Sequence, residues 1–169
     1  MNNPIQDKLI IAYEEMTKRF HDAVEHAENV TIPQAEKALE QVKEKAIELG
    51  ELTREEADTV GKYLQRDLQD LSAYMSETQK EFSDWLAFES TVLESKMFEW
   101  LNVVADKTRL QWDEFNRRTT QAITYHSGEI TGPGTLECQS CKQTLHFKKA
   151  GHIPPCPKCH KTLFKRHTK

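Results

Sequence analysis

"CQSCKQTLHFKKAGHIPPCPKC", Cys138 to Cys159, contains all four cysteines of the chain, in two Cys-x-x-Cys pairs with fourteen residues between them. Two residues between cysteines let a tight knuckle aim both sulfurs at one point. Two such knuckles complete a four-thiolate, tetrahedral shell closed to water. The loop between them is one residue under the usual range of about 15–20. "KQTLHF" and "KTLFKR" follow the two knuckles and alternate like short strands. The pattern predicts a zinc ribbon with one structural Zn2+ on Cys138, Cys141, Cys156 and Cys159. Iron in the same shell would make a rubredoxin-like electron carrier. A thiol–disulfide role for "CPKC" is the other competitor, and the adjacency of two pairs favours metal over it. His146, His152 and His160 could each replace a cysteine, but four cysteines already fill the shell.

Such a ribbon has about six bulky apolar residues, too few for a self-sufficient core. A structural zinc supplies on the order of 10–16 kcal/mol, so metal binding and folding are one event.

Outward from this cluster, the charge changes sign. Residues 1–127 carry 15 Lys and Arg against 25 Asp and Glu, a balance of −10; residues 128–169 carry 8 against 2, a balance of +6. The whole chain of 169 residues is at −4. Between Lys62 and Ser127 there is neither Gly nor Pro, and then "SGEITGPG" supplies three glycines and a proline. This reads as three parts: an acidic helical bundle or coiled coil over 1–127, a Gly/Pro linker over 128–135 acting as a hinge, and a basic zinc ribbon over 136–169.

The acidic part has helical periodicity. Ile5, Leu9, Ala12, Met16, Phe20, Ala23, Ala27 and Val30 step by three and four. Thr31 with Gln34 and Thr53 with Glu56 have capping-box spacing, Pro33 suits a first turn, and Gly50 stops the second helix. Stripes follow at Ala35, Leu39, Val42, Ala46 and Leu49, then at Ala57, Val60, Leu64, Leu68, Leu71, Met75, Phe82 and Trp85. Leu93, Met97, Trp100, Leu101, Val104, Trp112 and Phe115 continue the pattern. Thr91 with Glu94 and Thr108 with Gln111 could open new helices. One helix over 54–88 would be about 50 Å long. The expected fold is therefore mainly α, an elongated helical hairpin or coiled-coil bundle with a small C-terminal β zinc ribbon.

Several function classes drop out. A di-metal bundle needs Glu-x-x-His motifs, and neither His21 nor His26 has an acid three residues earlier. Surface pairing accounts for both histidines. No Ser/His/Asp arrangement stands out, and "GEITGPG" lacks the Lys-Ser/Thr and helix of a phosphate loop. With every thiol in a closed shell the chain is expected not to be an enzyme and to take no small-molecule substrate. There is no apolar run of about 18 residues and no signal-peptide pattern, so no membrane and a cytoplasmic location are expected.

"GELTREE" (Gly50–Glu56), "YHSGEITGPGTLECQSC" (Tyr125–Cys141) and "PPCPKC" (Pro154–Cys159) resemble a family of small bacterial zinc-ribbon proteins with a domain of unknown function, over nearly the full chain. The resemblance implies a bacterial cytosolic protein holding zinc through the same four cysteines, and implies no activity. One departure is local: the residue after each second cysteine is often Gly, and here it is Lys142 and His160.

Two readings of function follow. As an adaptor, the helical part engages a protein partner or a second copy of itself, and the basic ribbon docks on an acidic surface. As a nucleic-acid binder, Lys142, Lys148, Lys149, Lys158, Lys161, Lys165 and Arg166 would meet phosphates, while Phe147 and Phe164 stack on bases. The lysine-rich composition and the lack of a base-reading element place protein interaction ahead. A third arrangement, the basic ribbon folded back on the acidic helices, is autoinhibitory.

Overall fold

The computed structural model describes residues 4–28, 30–78, 99–101, 103–107 and 123–167. Within them the chain is mainly α with small β-sheets around the cysteines. Three helices come first: α1 (Pro4–Val24), α2 (Ile32–Glu48) and α3 (Arg54–Thr78). Each packs on the other two. Helical residues 99–101 and 103–107 add Leu101, Val104 and Ala105 to the same core.

The helix starts lie where the caps predict. The Thr31 N–H donates to Gln34 Oε1 at 2.8 Å. Thr53 and Glu56 form a reciprocal box: the Thr53 N–H meets Glu56 Oε2 at 2.8 Å, and the Glu56 N–H meets Thr53 Oγ1 at 3.2 Å. Gly50 stops α2 with φ +68, a conformation a Cβ disfavours. The buried stripes are Ala12, Met16 and Phe20 on α1, Ala35, Leu39, Val42 and Ala46 on α2, and Ala57, Val60, Leu64, Leu68 and Leu71 on α3.

Some expectations shift. Val24, the last residue of α1, takes the core position expected for Ala23, which is exposed; Phe20 and Val24 are four apart on the same helix face. Ile5, in the first turn of α1, and Leu49, at the C-terminal end of α2, are 61% and 54% exposed. The continuation of α3 to residue 88, the later stripe positions Phe82, Trp85, Leu93, Met97, Trp112 and Phe115, and the caps at Thr91 and Thr108 lie outside the described residues.

Six short strands follow: β1 (Tyr125–His126), β2 (Ile130–Thr131), β3 (Gly134–Cys138), β4 (Thr144–Phe147), β5 (Gly151–His152) and β6 (Leu163–Arg166). One antiparallel sheet has the order β1-β6-β3-β4, and β2 pairs with β5. Tyr125, Leu136, Ile153 and Phe164 make a small core with Cys138 and Cys156.

The Gly/Pro stretch 128–135 is structured where the sequence reading expects a hinge. It forms β2 and the start of β3, and residues 130–135 are all buried. β2 packs on α3 and α1, β5 on α1, and Ile130 and Ala150 belong to the helical core. The physical reason is close approach: a Cβ at Gly132 would sit 3.0 Å from Tyr13 Oη and 3.1 Å from Leu101 Cδ1. Glycine here brings the backbone against a helix, a role its composition shares with flexibility.

Candidate metal centre

The two knuckles are copies of one another. The Lys142 N–H donates to the Cys138 carbonyl at 3.0 Å, and the Cys138 N–H to the Gln143 carbonyl at 2.8 Å. In the second, the His160 N–H meets the Cys156 carbonyl at 2.9 Å, and the Cys156 N–H the Lys161 carbonyl at 2.9 Å. Such a tight turn needs a left-handed residue after the second cysteine. Lys142 and His160 adopt it, with φ +64 and +58. The missing glycines therefore leave the knuckle geometry intact, at a backbone cost of roughly 1–2 kcal/mol each.

All four sulfurs lie within 4.8 Å of one another. Cys138 and Cys159 are 3.5 Å apart, as are Cys141 and Cys156. A tetrahedron with zinc–sulfur bonds of about 2.3 Å has edges of about 3.8 Å, so this donor set fits one such ion. The electrostatics also favour a cation. The N–H groups of Cys141 and Ser140 lower the Cys138 thiol. Burial works against ionisation of Cys156, but the N–H groups of Cys159 and Lys158 outweigh it and bring that thiol to about 6. Cys159 goes the other way: the Lys161 N–H favours its thiolate, yet burial and the three neighbouring sulfurs push it up to about 12. Backbone dipoles alone cannot hold four thiolates at this spacing, whereas a divalent ion can.

The histidines stand apart from the cluster. His146 Nδ1 is 2.9 Å from Thr135 Oγ1, and His152 Nδ1 is 3.1 Å from the Gly128 carbonyl. His160 is exposed. His21 pairs with Glu25 four residues on at 3.6 Å, as its spacing predicts, and with Asp22 at 3.1 Å; His26, which the same spacing sets against Asp22, pairs with Glu25 at 3.2 Å instead.

Two of the expected surface contacts need correction. Phe164 is fully buried in the ribbon core, and the Arg166 side chain is 4% exposed against the helices, so neither meets an outside ligand. Phe147 is half-buried against the ribbon core. Lys142, Lys148, Lys149, Lys158, Lys161 and Lys165 are exposed. Lys142 and Lys165 each lie 3.5 Å from Glu137 Oε1.

Arg166 belongs to a buried polar joint between ribbon and helices. Its Nε is 3.4 Å from Asp70 Oδ2, and its Nη2 donates to Tyr125 Oη at 3.0 Å and Thr131 Oγ1 at 3.2 Å. The Tyr125 hydroxyl also donates to Asp70. Asp67, 4% exposed, accepts from the Tyr13 hydroxyl at 2.6 Å, the Gly132 N–H at 2.8 Å and Thr131 Oγ1 at 3.3 Å. Arg66 bridges Asp67, Glu129 and the Ile130 carbonyl, with its guanidinium 4.1 Å from the Tyr125 ring centre. Burial raises both tyrosines and Asp70, while Asp67, Tyr125 and Glu129 hold Arg66 charged despite its burial. The sequence alone gives Arg166 as a surface contact and does not single out Tyr13, Arg66, Asp67 or Asp70. A signal was present: Asp67 occupies a core step of the α3 stripe, between Leu64 and Leu71.

Among the described residues no helix is long and apolar enough to cross a membrane. No solved structure matches this chain. The chain is 34% identical over 128 residues to the "Uncharacterized protein YbeL" of Escherichia coli strain K12, covering 76% of this chain and 79% of that one. The proteins of the same name from strains O6:H1 and O157:H7 match to the same extent. Residues 22–168, which include both knuckles and the joint apart from Tyr13, match a family described as "Zinc-ribbon containing domain". With the match spanning most of its length and all four thiols gathered at one point, the chain belongs to the zinc-ribbon containing domain family.

Proposed function

We propose that this protein is a non-enzymatic interaction module of the cytoplasm. One structural zinc ion on Cys138, Cys141, Cys156 and Cys159 fixes a ribbon whose lysines dock on an acidic protein surface. The observation that carries the metal assignment is the pair of matching knuckles with four thiols within 4.8 Å. When bound, zinc supplies a closed cross-link and no reactive position. The chain's own part is to turn Phe164 and Arg166 inward and leave six lysines outward. That division supports an acidic protein over nucleic acid, because stacking on bases needs exposed aromatic rings. In this reading the helical part engages a protein partner or a second copy through its outer faces, since the inner stripe of α3 is already buried on α1 and α2.

The test has two parts. Zinc per chain is measured on reduced, full-length protein, and on Cys156→Ser; one ion in the former and a loss in the latter are expected. Iron retained in preference would move the reading to an electron carrier. The zinc-loaded protein is then titrated with polyglutamate and with mixed RNA and DNA across a salt series. Polyglutamate binding that Lys158→Glu with Lys161→Glu abolishes supports the adaptor. Steeply salt-dependent binding to RNA or DNA alone would replace it with the nucleic-acid reading.

A further inference from the structure

A continuous path leads from the thiol cluster to the helices. Cys138 of β3 lies opposite Phe164 of β6, and Phe164 lies opposite Tyr125 of β1. Phe164 and Tyr125 share the ribbon core with Cys138 and Cys156. Arg166, two residues past Phe164, falls on the same face of β6. Tyr125 and Arg166 both end on Asp70 of α3. The strands that frame the metal thus carry the side chains that seat the ribbon on the bundle.

Each half of this arrangement needs the other. The ribbon core has six fully buried residues, two of them cysteines, too few to keep β1 and β6 in register with four unlinked thiols. On the helix side, Asp67 and Asp70 lie one turn apart and draw donors from ribbon residues Tyr125, Thr131, Gly132 and Arg166. Without those donors Asp70 loses Tyr125 and Arg166, Asp67 is left with Tyr13 and Arg66 of the helices, and the helical core loses Ile130 and Ala150. The apolar surface they cover would then open to water, which is unfavourable.

We propose that metal binding at the four cysteines and docking of the ribbon on α1 and α3 form one coupled equilibrium. Asp70, Tyr125 and Arg166 are positioning residues for a metal site that they do not touch. The metal in turn keeps the acidic, core-facing surface of α1 and α3 closed. Coupling of this kind is reciprocal: what weakens docking weakens metal affinity, and metal loss opens the joint. The inference rests on the zinc reading above and adds the helices as part of the site.

Amide hydrogen exchange on full-length wild-type protein, zinc-loaded and then stripped by chelator under reducing conditions, tests it directly. Stripping is expected to speed exchange at least about tenfold at residues 64–71 and 12–17, the local opening that loss of the joint requires. Competition with a chromophoric chelator gives the second readout. Asp70→Asn is expected to bind zinc about tenfold more weakly at an unchanged one ion per chain, the worth of one charge-assisted buried hydrogen bond. Asp70→Glu, which keeps the charge, should recover part of that loss. One zinc per chain with unchanged exchange in α1 and α3 would overturn the coupling and leave the zinc reading standing. Wild-type zinc affinity in Asp70→Asn would do the same. If that variant does not fold, the exchange comparison on wild-type protein decides alone. A reduced chain that takes up no zinc overturns both.

Discussion

Replacing Asp67 by asparagine keeps the side chain's shape and removes its charge, and the consequences can be worked from its neighbours. Every group facing the carboxylate is a donor. Oδ1 receives Arg66 Nε at 3.2 Å and Nη2 at 3.0 Å, while Oδ2 receives Tyr13, Gly132 and Thr131. An asparagine has one acceptor oxygen, so whichever way it turns, its NH2 group meets donors on one side. An unsatisfied buried donor costs about 1–3 kcal/mol, and removing one partner of a buried charge pair costs about 3–5 kcal/mol. The expected loss is therefore roughly 3–5 kcal/mol in zinc-loaded protein, which for a chain of this size lowers Tm by roughly 6–20 °C. Urea unfolding followed by circular dichroism and tryptophan fluorescence measures it. Tyr13→Phe, which removes one donor, should cost only about 1 kcal/mol alone. It should cost less again in the Asp67→Asn background, since the two share a contact. A loss below about 1 kcal/mol for Asp67→Asn with an unchanged denaturant slope would refute the reasoning, because the carboxylate would then contribute no more than a surface pair.

Gly132→Ala introduces a methyl 3.0 Å from Tyr13 Oη and 3.1 Å from Leu101 Cδ1. It should destabilise by about 1–3 kcal/mol in the same urea assay, as overpacking does. At the knuckles, His160→Gly relieves a left-handed strain but frees the unfolded chain, so stability should change by less than about 1 kcal/mol. His160→Val should weaken zinc retention against a chelator, because a β-branched residue resists φ +58. Stability should also fall in acid. Hydrogen bonds from Arg19 hold the Glu51 carboxyl below its ordinary 4.5. The folded state then binds fewer protons than the unfolded one, so this contribution is present above that value and lost as pH falls through the lowered one. Comparing urea midpoints at roughly pH 3 and pH 6, Glu51→Gln should flatten the dependence by at most about 1 kcal/mol, the ceiling for so exposed a pair.

The readable features of this sequence are those in which one residue type has one physical use. Cys-x-x-Cys twice over located the thiol cluster, Thr-x-x-Gln and Thr-x-x-Glu located the starts of α2 and α3, and three-and-four spacing gave Met16, Phe20, Leu64 and Leu68 as core. Glycine has two uses, loose tether and close approach, and only the neighbour decides between them. Nothing near Gly132 in sequence reveals that Tyr13, well over a hundred residues earlier, lies against it. Arg166 turns inward against its local sequence context for a related reason. A cation in a basic tail reads as surface, and its inward direction depends on Asp70 of a distant helix. Buried polar joints of this type connect residues across the chain, so local periodicity carries little trace of them.

The family match begins at residue 22, yet Tyr13, Met16 and Phe20 all lie before that point and are completely buried. Removing side chains of this size from a core costs about 2–5 kcal/mol each, and the three together approach the 5–15 kcal/mol that typically separates folded from unfolded states. A fragment cut at the edge of the shared sequence would lack one wall of its own core. The stretch by which the protein is recognised is thus shorter than the unit that must fold, and recombinant boundaries for this chain belong ahead of α1.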